Sequence, residues 1–486
     1  MKGSIKSRTD KIKPAPAASP ELGIKAGEAI AIFDIGKTNK KLFVFDTQYN
    51  ILLEKTMQVP EIEDEDGDAC ENLPALTQWV KSSINWLMES KKLSVKALNF
   101  STYGASFVHI NAEGKPVAPL YNYLKVYPPQ LQKNFYKKYG GAVDFSIATA
   151  SPVLGNLNSG LQLYYLKEQK PALFAKIHMS LHLPQYMSYL VTNRRCSDIT
   201  SIGCHTALWN FTKNHYHEWL QREHIIEKMA PIFPSDQVIT TNWNGKPLLC
   251  GVGLHDSSAA LIPYLAGFKE PFVLISTGTW CISFNPFNQS TLTAEELNQD
   301  CLCYMEYRGK PIKASRLFAG YEHEQQVKKL AAHFDVKEDH YKTIAFDPGA
   351  VQRLAARPGL KNSGVGKTMM QESLFGKRIL SSFNSYSDAY HQLMIDMMAL
   401  QQQSTGLVLK NCSVKKIFVD GGFGNNPVYM HLLAAAFPQI DVCAASVAQA
   451  SSIGAALAVH AYWNQRDFPT GLIDLKHYAN IEKIEI

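Results

Sequence analysis

Paired cysteines, a membrane-length apolar run and a strong charge of one sign are all missing from this sequence. Its nine cysteines include no CxxC pair, which removes the common thiolate zinc and redox motifs and points to reduced thiols in a cytoplasmic compartment. Cys301 and Cys303 form an isolated CxC without further ligands and read as buried thiols. No uninterrupted apolar stretch is long enough to span a bilayer, so no membrane partner is expected. Net charge is +6, but Met1–Gly27 carries six basic and two acidic residues, leaving the remainder near +2. Nothing there argues for a nucleic-acid partner. The basic N-terminus has no apolar core segment and is no secretory signal. With Pro14, Pro16 and Pro20 among Ala, Ser and Lys, residues 1–27 read as a disordered leader.

A P-loop is also absent, although two places nearly spell one. Gly366-Lys367-Thr368 ends correctly, but the first glycine of GxxxxGK[ST] would fall on Lys361; Gly36-Lys37-Thr38 fails because position 31 is Ala31.

What is present is an ordinary globular composition, 46% apolar and 19% charged, in a chain of 486 residues that accommodates two or three domains. The most informative stretch is Ala29–Phe45, AIAIFDIGKTNKKLFVF. Two apolar, β-branched and aromatic runs flank a polar loop, the pattern of a β-hairpin. Asp34 ends the first strand, Gly36 permits close backbone approach, and Thr38, Asn39 and three lysines add donors and positive charge. Such a loop suits phosphate, and a carboxylate beside it suits Mg²⁺; read alone, it is equally a solvated lysine-rich turn.

Phe272–Phe284 repeats the theme, a strand, the loop Ser276-Thr277-Gly278-Thr279, then a second strand. Gly278 lies 242 positions after Gly36, about half the chain, so two similar units head two halves with a cleft between them. Leu73–Met88 has apolar residues at helical spacing, and Ala97–Ser101 and Ala105–Ile110 read as strands. Asn158 to about Phe211 reads as mainly helical, Tyr386–Leu409 as a long helix and Ser452–Trp463 as a final one. The acidic run Glu61–Asp68 reads as a solvated loop. Pro119–Pro129 (PLYNYLKVYPP) is an aromatic loop whose Tyr, Asn and Lys side chains suit a polar pocket. Lys416–Asp420 reads as a strand leading into Gly421–Pro427 and a helix. Asp256 follows Gly253-Leu254-His255 at a helix start, where the dipole and free N–H groups keep a carboxylate ionised. An N-cap is the plain alternative there.

Taken in order, these segments resemble the FGGY family of carbohydrate kinases, within the sugar kinase/actin/heat-shock ATPase superfamily, from Glu28 to about Trp463. Asp34–Lys41 is similar to the first phosphate motif, Ser276–Thr279 to the second, Gly253–Ala260 (GLHDSSAA) to the segment of the catalytic Asp, and Gly421–Pro427 to the adenosine motif. Leu181–Leu190 and Asp198–Phe211, which contains LWNF, resemble the family's helical segment. The departures are Lys37 where the family usually has Thr, and Tyr121-Asn122-Tyr123-Leu124-Lys125 where many members carry an Asp and an Arg. Positions often Gln and Asp after the adenosine motif are His431 and Ala435.

The resemblance implies an α/β fold of two actin-like (ribonuclease H-like) domains, 28–267 and 268–486, with the nucleotide in the cleft. It implies ATP and Mg²⁺ as cofactors, a small-molecule sugar as substrate, Asp256 as the base and Asp34 as the metal residue. Nucleotide contacts would come from Gly36, Thr38, Asn39, Lys40, Thr277, Gly278, Thr279, Gly320, Gly421, Gly422 and Asn425. Sugar contacts would come from Thr102, Tyr103, Gly104, Asn122, Lys125, His255 and Asp256. Ser101–Phe107 is most similar to kinases of deoxy-ketohexoses such as L-rhamnulose and L-fuculose; a pentulose kinase, such as a xylulokinase, and a non-catalytic sugar- or ATP-binding regulator are the alternatives. Small-residue and apolar helix faces are compatible with a homodimer.

Overall fold

The opening hairpin forms as its pattern predicts. Strand β1 (Glu28–Ile35) pairs antiparallel with β2 (Lys40–Asp46), and the turn closes through Gly36 N–H donating to Asn39 O at 3.0 Å. Both faces of β1 are buried, which is why it reads as a continuous apolar run. Ile30 and Ile32 join Phe43 and Phe45 on one face, while Ala31, Phe33 and Ile35 join Leu42 and Val44 on the other. The second face is covered by the helix Leu73–Glu89, whose Leu76, Val80, Ile84 and Leu87 are buried at helical spacing. Asn72 caps that helix by accepting from Ala75 N–H, and Pro74 sits in its first turn. Each such fully buried aliphatic side chain contributes about 1.5–3 kcal/mol.

This computed structural model describes residues 27–355, 373–447, 449–469 and 471–478. The leader, but for its last residue, and the Gly366-Lys367-Thr368 near-match lie outside them.

β3 (Ile51–Met57) extends the hairpin, and β4 (Ser94–Thr102) returns parallel to β1. β5 (Val238–Trp243), β6 (Lys246–Gly251) and the short β7 (Leu254–His255) complete a seven-stranded sheet of order β5-β6-β4-β1-β2-β3, with β7 also on β4. The second half holds β8 (Phe272–Thr277), β9 (Cys281–Asn285), β10 (Cys301–Met305), β11 (Pro311–Leu317), β12 (Lys416–Gly421), β13 (Asp441–Ser446) and β14 (Asp474–Tyr478), in the order β10-β11-β9-β8-β12-β13-β14. Six strands of each sheet correspond. In spatial order each has three antiparallel strands, then two strands parallel to the first of them, then an antiparallel edge strand, although in chain order β10 falls between β9 and β11 and β5 precedes β6. The duplication expected from Gly36 and Gly278 is therefore present in the topology.

Two helices join the halves. Asp256–Gly267 leaves the first sheet, and Ala450–Ala458 leaves the second and lies across it. A Cβ on Gly454 would sit 1.8 Å from Ala259 O, so only glycine permits this crossing. The small-residue face that fitted a dimer is thus used within the chain. The long helix Tyr386–Leu409 is as expected. Two expectations need correction. The final helix breaks at Val459, giving Ala450–Ala458 and His460–Trp463. The mainly helical reading of 158–211 missed a strand, Met179–His182, which pairs with Phe107–Ile110. Among the described residues no helix is long and apolar enough to cross a membrane.

Candidate functional site

Three neighbouring parallel strands of the first sheet, β1, β4 and β7, end together, and most of the expected chemistry lies just past those ends. Asp34 lies in the last two residues of β1 with Gly36 just past it, Thr102 ends β4 with Tyr103 and Gly104 just past it, and His255 ends β7 with Asp256 next. Ligands in open α/β sheets gather at such carboxyl edges. Asp256 occupies the first turn of its helix with 36% of its side chain exposed. Its Oδ1 accepts from Ser257 N–H at 2.6 Å and lies 3.3 Å from His255 Nε2. The His255 ring stacks on Tyr304 of the second half, centroids 6.0 Å apart and planes 3° off parallel. Gly104 makes room for it, because a Cβ there would lie 2.9 Å from the imidazole. His255 N–H donates to Thr200 Oγ1, and Asp198, fully buried, caps the Thr200 turn. That is what the LWNF-containing segment contributes here.

The second sheet repeats the arrangement. β8 and β12 run parallel side by side, and their ends carry Thr277–Thr279 and Asp420–Gly422. Thr277 Oγ1 donates to Asp420 O at 2.6 Å and accepts from Phe423 N–H, zipping the two loops together. Gly421 has φ +89° and would place a Cβ 2.0 Å from Thr277 O. Gly320 opens the helix Ala319–Phe334, where a Cβ would meet Gly278 O at 1.8 Å. Bare backbone at these places shapes a cavity of about 590 Å³ that brings together Thr277, Gly278, Gly320, Gly422 and Asn425. His323, Tyr341 and Lys342 complete its walls. Sequence reading missed these three. Their one signal was a histidine one helical turn after Gly320.

Of the other expected residues, Lys40 and Lys125 are tied up by ion pairs within the chain. Lys40 is buried, and its ammonium lies 3.0 Å from Glu71, which also accepts from Tyr103 OH at 3.1 Å. Strand alternation sends Lys40 to the helix side of the sheet, and Lys41 to the side of Asp34. Lys125 is held at 2.5–2.9 Å by Asp64, Asp66 and Asp68. The acidic run is therefore a clamp on the aromatic loop and not a free solvated loop. Its Glu65 and Asp66 also hold Lys170, and its Glu61 pairs with Lys37 at 2.5 Å. Asn122 accepts from Leu124 N–H within the loop. Thr102 Oγ1 turns to Tyr103 O. Thr38 and Asn39 are exposed at the hairpin tip.

Burial raises the Asp34 carboxyl above its ordinary value, and the nearby Asp256 charge adds to this, against two serine hydroxyls. Burial lowers His255, keeping it neutral beside Asp256. Burial, and after it the Asp256 charge, raises the Tyr123 hydroxyl. Arg316, whose charge reaches Tyr304, is neutralised by a two-pronged pair with Asp300 at 3.1 and 2.7 Å. The site thus offers an available carboxylate in a mostly neutral aromatic and imidazole wall, opposite a glycine-lined cavity.

Residues 29–246 match the N-terminal domain of the FGGY family of carbohydrate kinases, and residues 269–467 match the carbohydrate kinase FGGY C-terminal domain. A rhamnulokinase of Halalkalibacterium halodurans is 23% identical over 190 residues, which span 37% of this chain and only 38% of that protein. Among solved structures, a carbohydrate kinase from Novosphingobium aromaticivorans superposes with a TM-score of 0.76 at 21% identity, covering 93% of this chain and 97% of that one. A ligand-bound xylulose kinase and a gluconate kinase, both from Lactobacillus acidophilus, each give a TM-score of 0.74 at 15% and 16% identity, covering 93% of this chain and 94% of theirs. These likenesses are of fold: the two sheets are the cores of two actin-like domains.

Proposed function

This chain belongs to the FGGY family of carbohydrate kinases, and from that premise we propose that it transfers the terminal phosphoryl group of ATP to a hydroxyl of a ketose. The favoured acceptor is a deoxy-ketohexose, L-rhamnulose or L-fuculose. The observation that carries the reading is Asp256, a part-exposed carboxylate at a helix start beside Asp34. Among the described residues no lysine or arginine pairs with it. A carboxylate left free of cations can accept a proton from a bound hydroxyl.

In this reading the domains divide near residue 267, between the two sheets. Gly421, Gly422 and Asn425, with His323 and Tyr341, hold the adenosine. Gly278 and Thr279 meet its phosphates from one side, and Gly36, Thr38 and Asn39 from the other. Lys41, not Lys40, shares the face of Asp34 and supplies positive charge there, drawn from its part-exposed pair with Glu54 at 3.2 Å. Asp256 aligns the acceptor hydroxyl and takes its proton; alignment and charge neutralisation are the main terms in phosphoryl transfer. Closure of the halves excludes water, the competing acceptor.

The donor set fits Mg²⁺. Among the described residues no three His, Cys, Asp or Glu side chains could cage a metal. Mg²⁺ needs no such cage, since it commonly binds through one or two carboxylates, water and substrate phosphates. Asp34 would hold it, and when bound it neutralises charge on the phosphate oxygens.

The sugar would lie against Thr102–Gly104, Asn122, Tyr123 and His255, with Lys125 as support for the loop. A neutral aromatic wall with Arg316 already paired suits an uncharged, methyl-bearing sugar better than an aldonate carboxylate. The partial likeness to a rhamnulokinase supports the same choice. We place the protein in the cytoplasm, where its nine free thiols stay reduced.

The test is coupled ADP release with Mg-ATP against L-rhamnulose, L-fuculose, D- and L-xylulose and L-ribulose, with glycerol and D-gluconate as controls. A deoxy-ketohexose well ahead in kcat/KM supports the proposal. Gluconate ahead of all ketoses overturns the neutral-sugar reading. Silence throughout, with ATP still bound, overturns the kinase in favour of a binding protein.

A further inference from the structure

Two hydroxyls from the far end of the chain meet on one oxygen of Asp34. Ser451 and Ser452, in the first turn of the Ala450–Ala458 helix, both donate to Asp34 Oδ2, at 2.6 and 2.8 Å. Among the described residues no hydrogen bond reaches the other oxygen, Oδ1. The helix that carries the serines cannot drift. Gly454 lies against Ala259 O without room for a Cβ, Asn99 Nδ2 donates to Ala455 O at 2.8 Å, and Ser452 is fully buried. The hydroxyls are thus fixed relative to both β1 and the helix of Asp256.

A carboxylate with one oxygen doubly bonded and the other free has its rotamer set and its open lone pairs aimed in one direction. We propose that Ser451 and Ser452 are positioning residues that hold Asp34 so that Oδ1 faces the metal–nucleotide complex. The inference rests on the reading of Asp34 as the Mg²⁺ residue. It makes the second half of the chain part of the first phosphate site, so both halves must be assembled before that site is competent. Partners that orient a metal ligand typically change metal affinity or activity by about 10–100-fold when removed.

The test uses the full chain and Mn²⁺ as a spectroscopic probe, titrated by electron paramagnetic resonance in the presence of ATP. Ser451→Ala/Ser452→Ala should bind Mn²⁺ about 10–100-fold more weakly, with metal-free ATP and sugar affinities unchanged. Ser451→Thr/Ser452→Ala, which keeps one hydroxyl at the less buried position, should recover most of the loss. Should the double variant fail to fold by thermal melting, Ser451→Ala alone replaces it. Mn²⁺ affinity within twofold of wild type in a folded serine variant overturns the proposal, provided Asp34→Asn weakens Mn²⁺. If Asp34→Asn leaves Mn²⁺ binding unchanged as well, the reading of Asp34 itself falls.

Discussion

Asp34 and Lys41 stand directly opposite each other across the first hairpin, in register, on the sheet face that carries Ile32 and Phe43 toward the second half. Lys40, the next residue along, has its ammonium on the other face against Glu71. The two lysines therefore fail differently when neutralised. Lys41→Met should raise the KM for ATP by about tenfold, the loss of one charge-assisted contact, with little change in thermal midpoint. Lys40→Met strands the Glu71 carboxylate in the core, a cost of about 3–5 kcal/mol, and should lower the melting temperature with ATP affinity retained in whatever stays folded. ATP kinetics and melting curves on both variants decide this. An ATP defect confined to Lys40→Met would reverse the assignment.

That pair also shows what a linear reading can and cannot reach. Both hairpins, the order of the motifs and the start of the Asp256 helix are local patterns, and local patterns survive into the fold. Composition alone makes the loop a pool of positive charge, whereas strand alternation from Phe43 and Phe45 back through Lys41 assigns each lysine a face and sends Lys40 to Glu71. Tyr304 lies about 50 positions from the His255 it stacks on, His323 and Tyr341 about 80–100 before the glycine-rich turn at Gly422, and the two serines more than 400 from Asp34. Apart from the step of one helical turn from Gly320 to His323, nothing in their own neighbourhood marks them. The acidic run reads as solvated because its partners, Lys125 and Lys170, lie about 60 and 100 positions away.

The clamp on Lys125 makes a separate prediction. Asp64 is fully buried at its side chain, while Asp66 and Asp68 are about half exposed. The Asp64 pair should therefore carry most of the energy, since exposed pairs contribute little. Lys125→Met should cost about 3 kcal/mol and, by loosening the aromatic loop, raise the KM for sugar more than that for ATP. Lys125→Met/Asp64→Asn should recover much of the stability, because no buried charge is left alone. Urea unfolding of the single and double variants is the check. A double variant no better than the single one would show that the clamp does not act through that charge.

Acid should weaken the fold through its buried histidines. Burial takes His109 and His182 from an ordinary 6.5 down to about 3, and His217 and His323 to about 4. Between roughly pH 6.5 and those lower values the unfolded chain takes up protons that the native state refuses. Stability then falls as pH falls, by about 1.4 kcal/mol per pH unit for each such group. The buried carboxyls Asp198 and Asp300, raised by burial, act in the opposite sense nearer their own range and offset part of the loss. The urea midpoint should therefore be flat from pH 8 to 7 and drop clearly by pH 5. An unchanged midpoint at pH 5 would mean that these imidazoles are not held neutral.

Asp256→Asn is the most direct probe of the chemistry, because it changes basicity and little else. An asparagine keeps an oxygen to accept from Ser257 N–H, now at 2.6 Å to Asp256 Oδ1, so the helix start and the neighbouring His255 and Tyr304 stack should stand. The nucleotide cavity is built from the other half and does not involve this position. ATP affinity by calorimetry should therefore match wild type. What is lost is the proton acceptor and the negative charge that draws the hydroxyl into line, an effect of about 10²–10⁴ in kcat for general-base participation. Because the acceptor can still be hydrogen-bonded, KM for the sugar should move far less than kcat. If turnover stays within a few-fold of wild type, Asp256 is an N-cap and the proton leaves by another route. If sugar affinity collapses while kcat at saturation holds, the carboxylate binds the substrate without taking its proton.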